Sequence, residues 1–89
     1  MQTAQLTLIG KPGCHLCDDA RELIHSVTSK ITGHPSAPEV TFEELSILDD
    51  PTLSDLYADD IPVLLINGEV HNYWRIDPLR LRSALLDIR

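Results

Sequence analysis

LTLIGKPGCHLCDDARELI, residues 6–24, carries an apolar run into Lys11-Pro12-Gly13 and then into two cysteines separated by two residues. Upstream, Gln5 to Ile9 is β-compatible and stops at Gly10, which predicts a strand. Downstream, Leu16, Ala20, Leu23, Ile24, Val27 and Ile31 recur at spacings of four, three, one, three and four. Such spacing gathers them on one face of a helix. The cysteine pair therefore sits where a strand hands over to a helix.

The rest of the chain extends this unit. Thr32-Gly33-His34-Pro35-Ser36-Ala37-Pro38 is rich in turn formers and reads as a loop inside one domain spanning residues 1–89. Glu39 to Ile47, with Val40, Phe42, Leu45 and Ile47, reads as a second strand, although Phe42-Glu43-Glu44-Leu45 blurs its alternation. Asp50-Pro51 supplies an N-cap and a first-turn proline for a short helix over Thr52 to Tyr57. Pro62 to Ile66 and Glu69 to Trp74 flank Asn67-Gly68, a dipeptide that tolerates positive φ and sets a two-residue hairpin. Pro62 must open its strand, because it has no N–H to give an interior ladder. Asp77-Pro78 repeats the cap-plus-proline signature and starts a helix to about Asp87, with Leu81, Ala84, Leu85 and Ile88 on its apolar face. The order β-α-β-α-β-β-α predicts an α/β fold, a mixed four-stranded sheet with helices on both faces.

Composition limits what such a domain does. With 43% hydrophobic residues in 89, the chain has enough apolar side chains for one modest core. The formal net charge of −7 argues against nucleic acid, whose phosphates it would repel. No apolar run approaches the ~20 residues of a membrane span, and the N-terminus lacks the basic and apolar regions of a signal peptide. A cytoplasmic monomer that engages no membrane is the expectation. In that reducing compartment a lone C-x-x-C is more often catalytic than structural, and the short separation closes too small a loop to serve as a scaffold disulfide.

Three chemical readings of the pair stand open. At a helix start, Cys14 meets unpaired backbone N–H groups at the positive end of the dipole, which favours its thiolate. Cys17, one turn on, is then placed to resolve a mixed disulfide on Cys14. Lys11 and a protonated His15 favour the thiolate and Asp18 and Asp19 oppose it; the two aspartates also suit the helix start itself, as does an exposed His15. A closed zinc site needs four ligands, which one C-x-x-C does not supply, and His25, His34 and His71 lack metal-ligand spacing; an iron-sulfur cluster shared by two chains is the remaining metal reading. Two inert packed thiols are the third.

These residues carry a family likeness. LIGKPGCHLC, then ILDDPTLSDLYADDIPVLLING, then VHNYWRIDPLRLRSAL resemble the short bacterial glutaredoxin-like proteins of the thioredoxin fold, over nearly the whole chain. The resemblance implies a redox-active Cys14 nucleophile and Cys17 resolving thiol, and a cis bond at Ile61-Pro62 beside Cys14, with Ile61 offering its backbone to an extended substrate. It implies that Lys11 meets a glycyl carboxylate of glutathione, and it places His15, Trp74 and Arg75 at the substrate site. The sequence also departs from the pattern. Asp60-Ile61-Pro62 stands for Thr-Val-Pro, Tyr73-Trp74-Arg75-Ile76-Asp77 occupies the place of the glycine pair that binds the γ-glutamyl end, and Cys-His-Leu-Cys replaces Cys-Pro-Tyr-Cys. Asp59 and Asp60 would repel an anionic tripeptide unless Arg75 points to the site and compensates. Strand alternation predicts that one of Tyr73 and Trp74 is core and the other lies outward or at the site rim, with Trp74 the candidate for substrate contact. His71 is expected to be a strand residue without chemistry.

The leading expectation is a thiol-disulfide oxidoreductase active in electron transport. It acts on a disulfide-containing protein or a glutathione mixed disulfide and draws electrons from a reductase or from glutathione. No bound cofactor and no metal ligand is expected; glutathione is a candidate co-substrate. Two alternatives come from other classes: a non-catalytic thioredoxin-fold binding module that docks a partner along Ile61-Pro62, and a dimeric iron-sulfur carrier.

Overall fold

The structure, a computed structural model, describes residues 3–88. The elements follow the predicted order: β1 Thr3–Gly10, α1 His15–Ile31, β2 Glu39–Ser46, α2 Pro51–Tyr57, β3 Val63–Ile66, β4 Glu69–Tyr73 and α3 Pro78–Leu86. The sheet order is β2-β1-β3-β4, with β1 and β2 parallel and the other pairs antiparallel.

Alternation along β1 divides the core in two. Ala4, Leu6 and Leu8 face α1 and α3 and pack with Ile24, Leu81 and Leu85. Ile9 points to the opposite face, where it meets Ile47, Val63 and the side chains of Leu53 and Tyr57 from α2. Helices therefore lie on both faces, two on one and a single short one on the other.

Local chemistry sets the boundaries as the sequence suggested. The Asp50 carboxylate accepts from Thr52 N at 2.9 Å, and that of Asp77 accepts from Leu79 N at 3.0 Å and Arg80 N at 3.2 Å. Asn67 and Gly68 both have positive φ, 52° and 84°, as a tight hairpin between twisted strands requires. That hairpin is also fastened to the central strand. Asn67 Oδ1 accepts from Gln5 N, and Asn67 N donates to Gln5 O, both at 2.9 Å.

Two expectations need correction, one on Leu16 and one on the Tyr73-Trp74 pair. Leu16 is 41% exposed, and Cys17 takes the buried place in the first turn of α1 at 2% exposure. The face that meets the sheet runs through residues 17, 20, 24, 27 and 31, a continuous three-four rhythm that leaves Leu16 at its border. Leu45, counted among the apolar residues of the second strand, is 39% exposed. It projects from the face opposite α1, which the short α2 covers only in part. Tyr73 and Trp74 are both exposed, at 44% and 55%. Alternation fails there because β4 ends at Tyr73 and Trp74 turns into left-handed backbone, with φ 60°.

His71 lies half-buried in β4 with Nε2 buried and without a hydrogen-bond partner. Burial first, and the Arg80 cation second, push its pKa below the ordinary value, while Asp77 pulls it back up. The folded protein thus resists a proton that the unfolded chain accepts. The sign follows: the neutral ring's contribution is intact above the unfolded pKa near ~6.5 and is lost as pH falls from there toward the lower folded value. Denaturant midpoints at pH 7 and pH 5.5 are expected to differ less in His71→Gln than in the parent. An equal difference would remove His71 from the pH response.

Candidate functional site

β1 and α1 build the site between them. Gly13, at φ 75°, turns the chain through left-handed backbone, so that Cys14 arrives in extended conformation as the N-cap of α1. Its Sγ accepts a hydrogen bond from Cys17 N at 3.1 Å. A sulfur thus does the work that a serine or aspartate oxygen usually does at a helix start. Cys14 and Cys17 form a disulfide, with Cα atoms 5.1 Å apart. The two sulfurs are unequal in access, Cys14 being half-buried and Cys17 enclosed.

Gly10 is a site residue that the sequence reading missed. A Cβ at this position would lie 2.7 Å from Cys17 Sγ and 3.2 Å from Cys17 Cβ, closer than atoms in contact stand. Only a residue without a side chain lets the strand end pass under the cysteine, and a glycine at the end of an apolar strand run was the available signal. Gly10 is also pinned, since its carbonyl accepts from Ile47 N at 2.9 Å. Gly10→Ala is expected to destabilise the oxidised protein by about 1–3 kcal/mol. The reduced protein should lose less, because a free Cys17 thiol rotates away and a bonded sulfur does not. Urea unfolding of both redox forms checks this; equal losses would show that the contact with Sγ is not the cause.

The Ile61–Pro62 bond is cis. Ile9 pairs with Val63, so Pro62 opens β3 at the sheet end from which β1 delivers Lys11 and the cysteines. Pro62 is buried and Ile61 half-buried. Trp74 closes the same end, its N–H donating to Pro62 O at 2.7 Å and its indole Nε1–H to Asp59 O at 3.3 Å.

The remaining candidates fall on two sides of the pair. Trp74 and Arg75 line a groove of about 290 Å³ with Leu16, Ala20, Leu23 and Ile76. Lys11 instead lines a cleft of about 240 Å³ with Cys17, Asp18, Arg21 and Glu44. Lys11, His15 and Arg75 are exposed. Among the described residues the ion pairs all belong to Arg21, which Glu44 on β2 grips through two nitrogens while Asp18 holds a third at 3.0 Å. The hydrogen bonds that Arg21 donates to Glu44, and then to Asp18, raise its pKa further above its already basic value. The network ties the first turns of α1 to the edge strand. Among the described residues no three or more His, Cys, Asp or Glu side chains are grouped to hold a metal ion.

A sheet of this order that hands a C-x-x-C pair to a helix N-terminus, with a cis-proline opening the neighbouring strand, is the thioredoxin fold. Oxidised mitochondrial thioredoxin 3 of Saccharomyces cerevisiae shares it, with a TM-score of 0.59 over 94% of this chain and 77% of that one, at 16% identity. Within that fold, the chain belongs to the family described as "Glutaredoxin-like domain (DUF836)", which it matches over residues 5–86. Its relatives include a structural-genomics target from X. campestris, XcR50, 32% identical over 90% of this chain and 93% of that one with a TM-score of 0.69. Another is the uncharacterised protein Rv0508 of Mycobacterium tuberculosis, 28% identical over 96% of this chain and 86% of that protein. Family, fold and a bonded C-x-x-C pair together support a function of redox type. None of the described helices is long and apolar enough to cross a membrane.

Proposed function

We propose that this protein is a thiol-disulfide oxidoreductase that cycles Cys14 and Cys17 between dithiol and disulfide and reduces protein or mixed disulfides in the cytoplasm. The observation that carries the reading is the unequal access of two bonded sulfurs at one helix N-terminus, Cys14 half-buried at the cap and Cys17 enclosed behind it.

In the reduced protein the Cys17 N–H and the helix dipole favour the Cys14 thiolate. This thiolate attacks a substrate disulfide, forms a mixed disulfide and expels the first substrate thiolate. Cys17 then loses its proton and attacks Cys14 Sγ. The second substrate thiolate leaves and takes up a proton, and two electrons have passed from the dithiol to the substrate. Enclosure of Cys17 restricts it to this second, intramolecular step. Lys11 and Arg75 supply positive charge on the two sides of the cysteine pair, His15 is an exposed neighbour of Cys14, and Ile61 and Pro62 offer an extended backbone to the substrate. The electron donor in this reading is glutathione or a reductase, and no bound cofactor takes part.

Titrating the couple against glutathione and dithiothreitol, then measuring turnover with glutathione or with thioredoxin reductase as electron source, tests the proposal. A reversible two-electron couple that turns over with one of these donors is expected. A couple that never reduces after oxidation, or that oxidises no dithiol, would overturn it.

A further inference from the structure

Trp74 is a bulky residue in left-handed backbone and more than half exposed, so burial does not account for its placement. Polar contacts hold it instead. Besides its bonds to Pro62 O and Asp59 O, the next residue's carbonyl, Arg75 O, accepts from Asn72 Nδ2 at 2.9 Å. The indole therefore forms a preset wall of the groove whose other wall is Leu16, itself 41% exposed and lying between the two cysteines in sequence. The floor is Ala20, Leu23 and Ile76.

An apolar groove walled by the residue that lies between the two cysteines suits a side chain of the molecule bearing the target disulfide, and charge selects among such molecules. Asp19 lines the groove against the one lining cation, Arg75, and the indole's backbone partner Asp59 is followed by Asp60, in a chain of net charge −7. An anionic tripeptide thiol carries no apolar side chain and meets this field unfavourably; a basic polypeptide meets it favourably. We propose that the groove is a specificity subsite for an apolar side chain next to the target cysteine of a basic polypeptide, with Leu16 and Trp74 as its determinants.

This inference rests on the dithiol reading above, and the test separates the two. Heptapeptides with one central cysteine, blocked as a disulfide with mercaptoethanol, are mixed with the fully reduced protein in a single turnover. The neighbouring position is Phe or Ala, the flanks are Lys or Glu, and glutathione disulfide is the comparator. Cys14 forms a mixed disulfide with the peptide and releases mercaptoethanol. Cys17 then releases the peptide thiol and leaves the protein oxidised by two electrons.

The Phe peptide is expected to react about tenfold faster than the Ala peptide. Lys flanks should outpace Glu flanks by a margin that shrinks at high salt. Leu16→Ala and Trp74→Asn, the latter keeping a residue that tolerates left-handed backbone, should each bring the Phe-to-Ala ratio below about twofold. A parental ratio already that small, a ratio that survives both substitutions, or a faster reaction with glutathione disulfide would overturn the subsite. Failure to reduce any of these disulfides would overturn the dithiol reading itself.

Discussion

Cys14→Ser is expected to bring turnover down to the uncatalysed rate, while Cys17→Ser stops after one half of the cycle. A serine at position 14 still caps α1, since its oxygen accepts from Cys17 N as the sulfur now does at 3.1 Å. The loss is therefore chemical and not structural. A hydroxyl neither ionises near neutral pH nor forms a disulfide, and the enclosed Cys17, 2% exposed, is screened from an external substrate. In Cys17→Ser the half-buried nucleophile Cys14 still attacks, but nothing resolves the product, and a one-to-one covalent adduct with the substrate thiol accumulates. Turnover of a protein disulfide with dithiothreitol as terminal reductant reads the first effect, and intact-mass analysis of pre-reduced Cys17→Ser mixed with the substrate disulfide without dithiothreitol reads the second. Turnover by Cys14→Ser within a few-fold of the parent, or a trapped adduct on Cys17 in place of Cys14, would overturn the assignment of roles.

The largest expected effect on stability lies behind the site. Leu8 is 1% exposed, sits on the central strand opposite Leu64, and packs in the core shared with α1 and α3. Leu8→Ala removes buried carbon and leaves a cavity between a sheet paired on both sides and two helices. It is expected to cost about 2–5 kcal/mol, out of roughly 5–15 kcal/mol for a whole domain. At about 3 kcal/mol, Tm falls by roughly 12–24 °C for a chain of this size. Leu79→Ala is the matched control, because Leu79 is 75% exposed and its loss should stay within about 0.5 kcal/mol. Thermal unfolding of the two variants separates burial from leucine content; similar Tm shifts would contradict the core described here.

Much of the architecture was legible because the signals were local. Two Asp-Pro pairs capped α2 and α3, Asn-Gly set the β3–β4 hairpin, and the helical spacing through Ile31 marked α1. Errors fell where an element ends. The phase of α1 was read correctly from Ala20 onward, but in the first turn the sheet meets Cys17 and not Leu16, a difference of one residue that decides which side chain is buried. Tyr73 and Trp74 were read as strand neighbours, whereas the strand stops between them. The likeness to a family pointed to the cis bond at Ile61–Pro62, which the structure contains. No spacing rule signalled that Gly10 lies against Cys17, or that Trp74 is tied to Pro62 and Asp59.

The sequence by itself determined the order of elements, the strand-to-helix position of the cysteine pair and the acidic charge, because capping, turn formation and helical periodicity act over a few residues. Only the tertiary structure decided which sulfur is enclosed, why Gly10 has no side chain, and that Lys11 and Arg75 line different clefts. Those outcomes depend on contacts between residues far apart in the chain. Such contacts are set by the register of β1 against β3 and the seating of α1 on the sheet, and neither is written into any single segment.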